Sequence, residues 1–104
     1  MEKTMTAKEL YDYIQRFTSV LVSAGQGNNV LFTWIRTERV ELHKINGIPD
    51  IFGNVMKRPK KRNGGFSLSG ASFQCNIVEE DENNHVVTVT SDTMPFPVTL
   101  SLQM

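Results

Sequence analysis

Apolar residues recur at every third or fourth position through TAKELYDYIQRFTSVLVSAGQG, residues 6–27, and at every second position through most of the chain beyond it. That change of period confines the chain to one helix followed by strands. Thr6 is placed to cap the first turn, and Glu9 three residues later completes a capping box, with Met5 and Leu10 as a hydrophobic staple across it. Leu10, Ile14, Phe17, Leu21 and Ala24 form the stripe to be buried, widened by Tyr13 and Val20. Gly25 suits a left-handed residue after the last turn, so the spacing predicts a helix over 7–24.

From Val30 to Ile35, alternation puts Val30, Phe32 and Trp34 on one side and Leu31 and Ile35 on the other, as in a strand with both faces covered. Phe32 and Trp34 are expected in the core. RVELHKI comes next, with Val40 and Leu42 inward, Glu41 and His43 outward, and TER as the turn of a hairpin before it. In IPDIFGNVM, 48–56, the residues Ile48, Ile51 or Phe52, and Val55 fall at loosely helical spacing. Pro49 suits the start of a short helical turn there, and Gly53 limits its length.

Between Phe66 and Val78 the apolar face changes parity: Phe66 and Leu68 are even, whereas Phe73, Cys75 and Ile77 are odd. A bulge or break across Ser69-Gly70-Ala71-Ser72 reconciles the two. EEDENN then turns the chain into HVVTVTSD, with Val87 and Val89 inward, and TMPFP turns it into FPVTLSLQ. There Phe96, Val98, Leu100 and Leu102 face in. Pro97, which has no N–H, favours an edge position.

These elements predict one α+β domain spanning 1–104, with an N-terminal helix packed on an antiparallel sheet of about five strands as a two-layer sandwich. A hydrophobic fraction of 39% and a charged fraction of 21% fit a globular chain rather than a disordered one. No apolar run approaches the ~20 residues that span a bilayer, so no membrane partner is expected. MEKTMTAKEL lacks the apolar centre of a signal peptide, and the single cysteine, Cys75, allows no internal disulfide. A cytoplasmic location is the expectation.

The formal net charge is zero, yet the charge is segregated. Lys57, Arg58, Lys60, Lys61 and Arg62 crowd into one loop that ends in Asn63-Gly64-Gly65, against the acidic run Glu79-Glu80-Asp81-Glu82. On one continuous strand over 66–78 the runs would stand ~40 Å apart, too far to attract through salt; a chain folded back at Gly70 would let them meet. Five cations on duplex phosphates would give log K a salt slope of roughly −4.5. KRPKKR also has the composition of a nuclear import signal.

Groups able to do chemistry are sparse. His43 and His85 fall at outward or turn positions, and Cys75 falls inward, where a thiol behaves as a small hydrophobe. Phosphate-binding glycine loops, nucleophile elbows and HExxH are all lacking, and EEDE lacks the spaced oxygens of a calcium loop. The expectation is therefore no catalytic residue, no metal, no cofactor and no enzymatic activity. Leu31 and Ile35, on the face away from the helix, are covered by 48–56 or serve as a contact surface, for a homodimer or another protein. Phe66 abuts the basic loop and joins that surface, and an edge at 96–102 would add backbone pairing.

Two functions fit this pattern. The first is a small regulator, adaptor or inhibitor that docks on a macromolecular partner through the basic loop and the apolar strip. The second is a nucleic-acid-binding domain that sets the five loop cations on phosphates. Phe32, Trp34 and Phe66 are then the rings on which bases would stack.

Overall fold

In the computed structural model, which describes residues 2–24, 31–54 and 65–104, the capping box at Thr6 forms. Thr6 Oγ1 accepts the Glu9 N–H at 3.1 Å, and the Thr6 N–H donates to Glu9 Oε1 at 2.9 Å. The bond from the Thr6 backbone holds the Glu9 carboxyl below its usual range, because it favours the charged form. Thr6 also closes a strand that the periodicity does not announce, β1 (Glu2–Thr6). Helix α1 (Ala7–Gln15) then buries Ala7, Leu10, Tyr13 and Ile14.

The helix stops at Gln15 rather than running to Ala24, because the next residues form β2 (Ser19–Ala24). Thr18, Val20 and Val22 are β-branched and favour extended backbone. On the strand, Val20 and Val22 reach the core and Leu21, expected on the buried helical stripe, turns to the other face. Phe17 stays buried at the bend. Gly25 lies outside the described residues.

β3 (Leu31–Arg36) pairs back on β2, and a 3₁₀ turn over Thr37–Arg39 comes after it. TER is thus not a hairpin turn: it carries the chain from one sheet to another. Thr37 fixes that crossing, since its hydroxyl donates to the Phe17 carbonyl and its own carbonyl accepts the Gln15 amide at 2.7 Å.

β4 (Val40–Ile45) and β5 (Ile48–Asn54) are joined by Asn46-Gly47, both at positive φ (52° and 82°), in a two-residue hairpin that pairs Ile45 with Ile48. The expected helical turn at 48–56 is a strand as far as Asn54. Asn-Gly between apolar residues is the sequence signal for this turn, and it outweighs the loose helical spacing beyond it. β6 (Gly65–Ser69) completes a three-stranded antiparallel sheet in the order β4-β5-β6.

At Gly70 the chain breaks, as the change of parity requires, and crosses into the second sheet. Gly70 has φ +148°, and an added Cβ would lie 2.9 Å from Ser91. Gly70→Ala should therefore lower stability by about 1–3 kcal/mol, measured by denaturant unfolding. β7 (Ser72–Glu80), β8 (Asn84–Thr90) and β9 (Val98–Gln103) form an antiparallel meander, with a register shift between Ile77 and Glu79. The larger sheet runs β1-β7-β8-β9-β2-β3, six strands, all antiparallel.

β9 is an interior strand rather than an edge, and Pro97 precedes it, where the missing N–H costs no ladder bond. Phe96, expected inward, is exposed. The molecule is mostly antiparallel sheet with one helix. Its core joins α1 to the inner faces of both sheets, through Leu10, Ile14, Val20, Ile35, Val40, Ile51, Leu68, Phe73, Val87 and Leu100. Among the described residues no helix is long and apolar enough to cross a membrane.

Candidate functional site

β3 is where sequence and structure part most clearly. The alternation holds, but the faces are exchanged. Ile35 is 1% exposed and belongs to the core, while Phe32 and Trp34 stand at 67% and 52% exposure on the outer face. Ile35 is therefore no contact residue, and Phe32 and Trp34 are not core. The inner face is the one covered by the helix and the smaller sheet. The parity that meets this cover is set by Val20 and Val22 on β2, which periodicity alone places on a helix.

Register fixes the surroundings of the two rings. Phe32 lies opposite Ser23, which lies opposite Thr99; Trp34 lies opposite Leu21, which lies opposite Ser101. Two positions along one strand separate the rings by ~7 Å. The site is a pair of rings at the border of a face otherwise rich in Ser and Thr.

The backbone of β3 is equally informative. The Thr37 N–H donates to the Thr18 carbonyl at 2.9 Å, which continues the β2–β3 ladder and sets its phase. Bonding direction alternates along an antiparallel strand. Leu31, Thr33 and Ile35 therefore turn their N–H and C=O groups to β2, and Phe32, Trp34 and Arg36 turn theirs outward. Among the described residues β3 pairs with β2 alone. Rings and unpaired backbone groups are thus displayed by the same two residues.

The other expected site residues are distributed differently. Lys57, Arg58, Lys60, Lys61 and Arg62 lie outside the described residues, as does the side chain of Leu31. Phe66 is half-buried, with its ring over Gly53, where an added Cβ would strike it. It lines an apolar cavity of about 260 Å³ together with Val22, Thr33, Leu68, Met94 and Val98. Phe66 is therefore wall rather than contact surface. Thr33, the residue between the two exposed rings, lines the same cavity.

Groups able to do chemistry are tied into the core. His85 is buried on β8, not outward, and Tyr13 Oη lies 2.5 Å from its Nδ1. Phe17 stacks edge-on at 4.9 Å, and Glu80 Oε1 stands 4.0 Å from Nε2. Burial pushes the Tyr13 hydroxyl above its ordinary pKa, with the Glu80 charge acting in the same direction, so it stays neutral. His43 is exposed, as expected, and bonds Glu41 at 2.7 Å. Cys75 lies opposite Val89 while His85 lies opposite Glu80, so four residues, ~13 Å along the strand, part thiol from imidazole. That separation does not make a nucleophile pair.

Burial pushes the Cys75 thiol from 9.0 to about 11. Below pH 9 it is protonated in both folded and unfolded chains and has no effect. As pH rises past 9.0 the unfolded chain ionises first, so stability falls until the folded thiol ionises near 11. The expected loss is about 2–3 kcal/mol. Cys75→Ala, although less stable at neutral pH, should show a flatter alkaline limb in unfolding titrations.

Compared with models of known protein families, with curated proteins and with solved structures, the chain matches none.

Proposed function

We propose that this chain is a small, non-enzymatic binding domain that docks on a macromolecular partner along the outer side of β3. Support comes chiefly from one observation: Phe32 and Trp34 are exposed on an edge strand whose outward backbone groups they also carry. Large rings held out on a rigid strand are strong contact residues, because little side-chain entropy is lost when they are buried. In this reading α1 and the three-stranded sheet are the second layer of a sandwich whose first layer presents the site. The cations from Lys57 to Arg62 steer the approach of an acidic partner surface. The domain works in a reducing cytoplasm as regulator, adaptor or inhibitor.

A second reading is supported by the same rings. Bases of a single strand stack on exposed aromatics, each contributing ~1–3 kcal/mol, and the five cations would hold its phosphates. One pair of experiments separates the two. Wild-type and Phe32→Ser/Trp34→Ser chains are immobilised and exposed to the same extract of the source cells. Labelled oligonucleotides are titrated in parallel at two salt concentrations. A protein retained by the wild type and lost by the variant supports the first reading. Oligonucleotide binding that falls steeply with salt supports the second, and equal retention by both chains contradicts a site on β3.

A further inference from the structure

Among the described residues four strand edges close the two sheets, and three are defended. β1 carries Glu2 and Lys3, and β4 carries Glu41, His43 and Lys44. β6 is uncharged, but Ser91 and Thr93 both donate to its Ser69 carbonyl at 2.5 Å. β3 is defended only at its end, by Arg36, which is paired with Glu38 at 3.2 Å. The five residues before it, Leu31-Phe32-Thr33-Trp34-Ile35, hold no charge, no proline and no bulge, the composition that templates pairing with another strand.

We infer that the occupant of this edge is a second copy of the same chain, paired antiparallel through β3 about a two-fold axis at Thr33. This rests on the docking reading above and names its partner. A strand is self-complementary in this way only when the residues brought opposite each other both turn their backbone groups outward. Centring on Thr33 sets Phe32 opposite the partner's Trp34, and Trp34 opposite the partner's Phe32. Both are outward-turning positions, so each pair exchanges two hydrogen bonds.

The same register makes two cross-strand Phe–Trp contacts on the outer face, a favoured aromatic pairing. The product is one continuous sheet of twelve strands with four rings clustered at its centre. A seam of one strand pair is at the small end of stable interfaces, so the association expected is micromolar and concentration-dependent.

Sedimentation equilibrium on the full chain, over a wide concentration range, is the test. The expected mass rises from 11.8 kDa toward twice that value. Phe32→Pro deletes an outward N–H from each copy and takes nothing from the β2–β3 ladder, so it should weaken association roughly tenfold or more. Thr33→Cys places the two thiols of the axis on paired residues whose Cα atoms are about 4.5 Å apart, within reach of a disulfide. Mild oxidation should give a reducible dimer, and buried Cys75 does not compete.

A mass that stays at one chain throughout overturns the self-pairing. The docking reading then stands or falls separately, on whether the Phe32→Ser/Trp34→Ser chain loses a captured partner. A dimer that persists in folded Phe32→Pro, or one that Thr33→Cys cannot cross-link, also overturns it. Should Phe32→Pro not fold, the cross-link decides alone.

Discussion

Replacing Phe73 by alanine is expected to lower the unfolding free energy by about 3–5 kcal/mol, a large part of the ~5–15 kcal/mol typical of a domain. Phe73 is a fully buried side chain on β7, opposite Met5 of β1, in the core that joins α1 to the sheets. Its removal leaves a cavity that backbone bonded on both sides cannot close. The melting temperature should fall by roughly 15–30 °C, at about 4–8 °C per kcal/mol for a domain of this size. Phe96→Ala is the control: at 37% exposure it lines the open cavity beside Phe66 rather than the close-packed core and should cost well under the loss at Phe73, about 1 kcal/mol. Equal losses at both positions would mean that the two phenylalanines are not divided between core and surface as described.

Phe32→Ser/Trp34→Ser should behave in the opposite way. Stability should stay within about 0.5 kcal/mol of the wild type for each change, because neither ring fills the core. Affinity for whatever docks on β3 should fall by roughly 30-fold or more, the effect of losing at least one central aromatic contact. The pairing of results matters more than either alone. A variant that melts early has lost packing, and its weaker binding would say nothing about the site. A variant that is stable and still binds would remove β3 from the account. Trp34 is the sole tryptophan of the chain, so its emission reports directly on the site in the single variant Phe32→Ser.

Much of this fold is legible in the sequence, and the misreadings have physical causes. Thr6 and Glu9 announce the helix start, the alternation from Val98 to Leu102 announces an inward strand face, and the parity break at Gly70 announces a crossing between sheets. Phe17-Thr18-Ser19-Val20 misleads because a helical stripe and a strand share apolar residues for one more turn; tertiary pairing with β3 and β9 settles the competition. Pro49 misleads for a different reason. Within β5 it lies opposite Lys44, next to the two-residue turn, where a strand tolerates proline.

The site is half legible. Alternation shows that β3 has two apolar faces, and its composition cannot say which one the helix covers. Phe and Trp are larger than Leu and Ile, so a size argument chooses the wrong face. Only the register with β2 orders them. The basic run is obvious in the sequence, and it lies outside the described residues.

The central claim is that β3 turns alternate backbone groups outward for a partner. Residue-resolved amide exchange tests it most directly, on the dilute chain and again on the associated one. The Thr33 and Ile35 amides, bonded to β2, should exchange slowly in both samples. Those of Phe32 and Trp34 should exchange rapidly when dilute and slow markedly on association. Rapid exchange at Phe32 and Trp34 in both samples would contradict the account, because whatever docks would then be docking elsewhere.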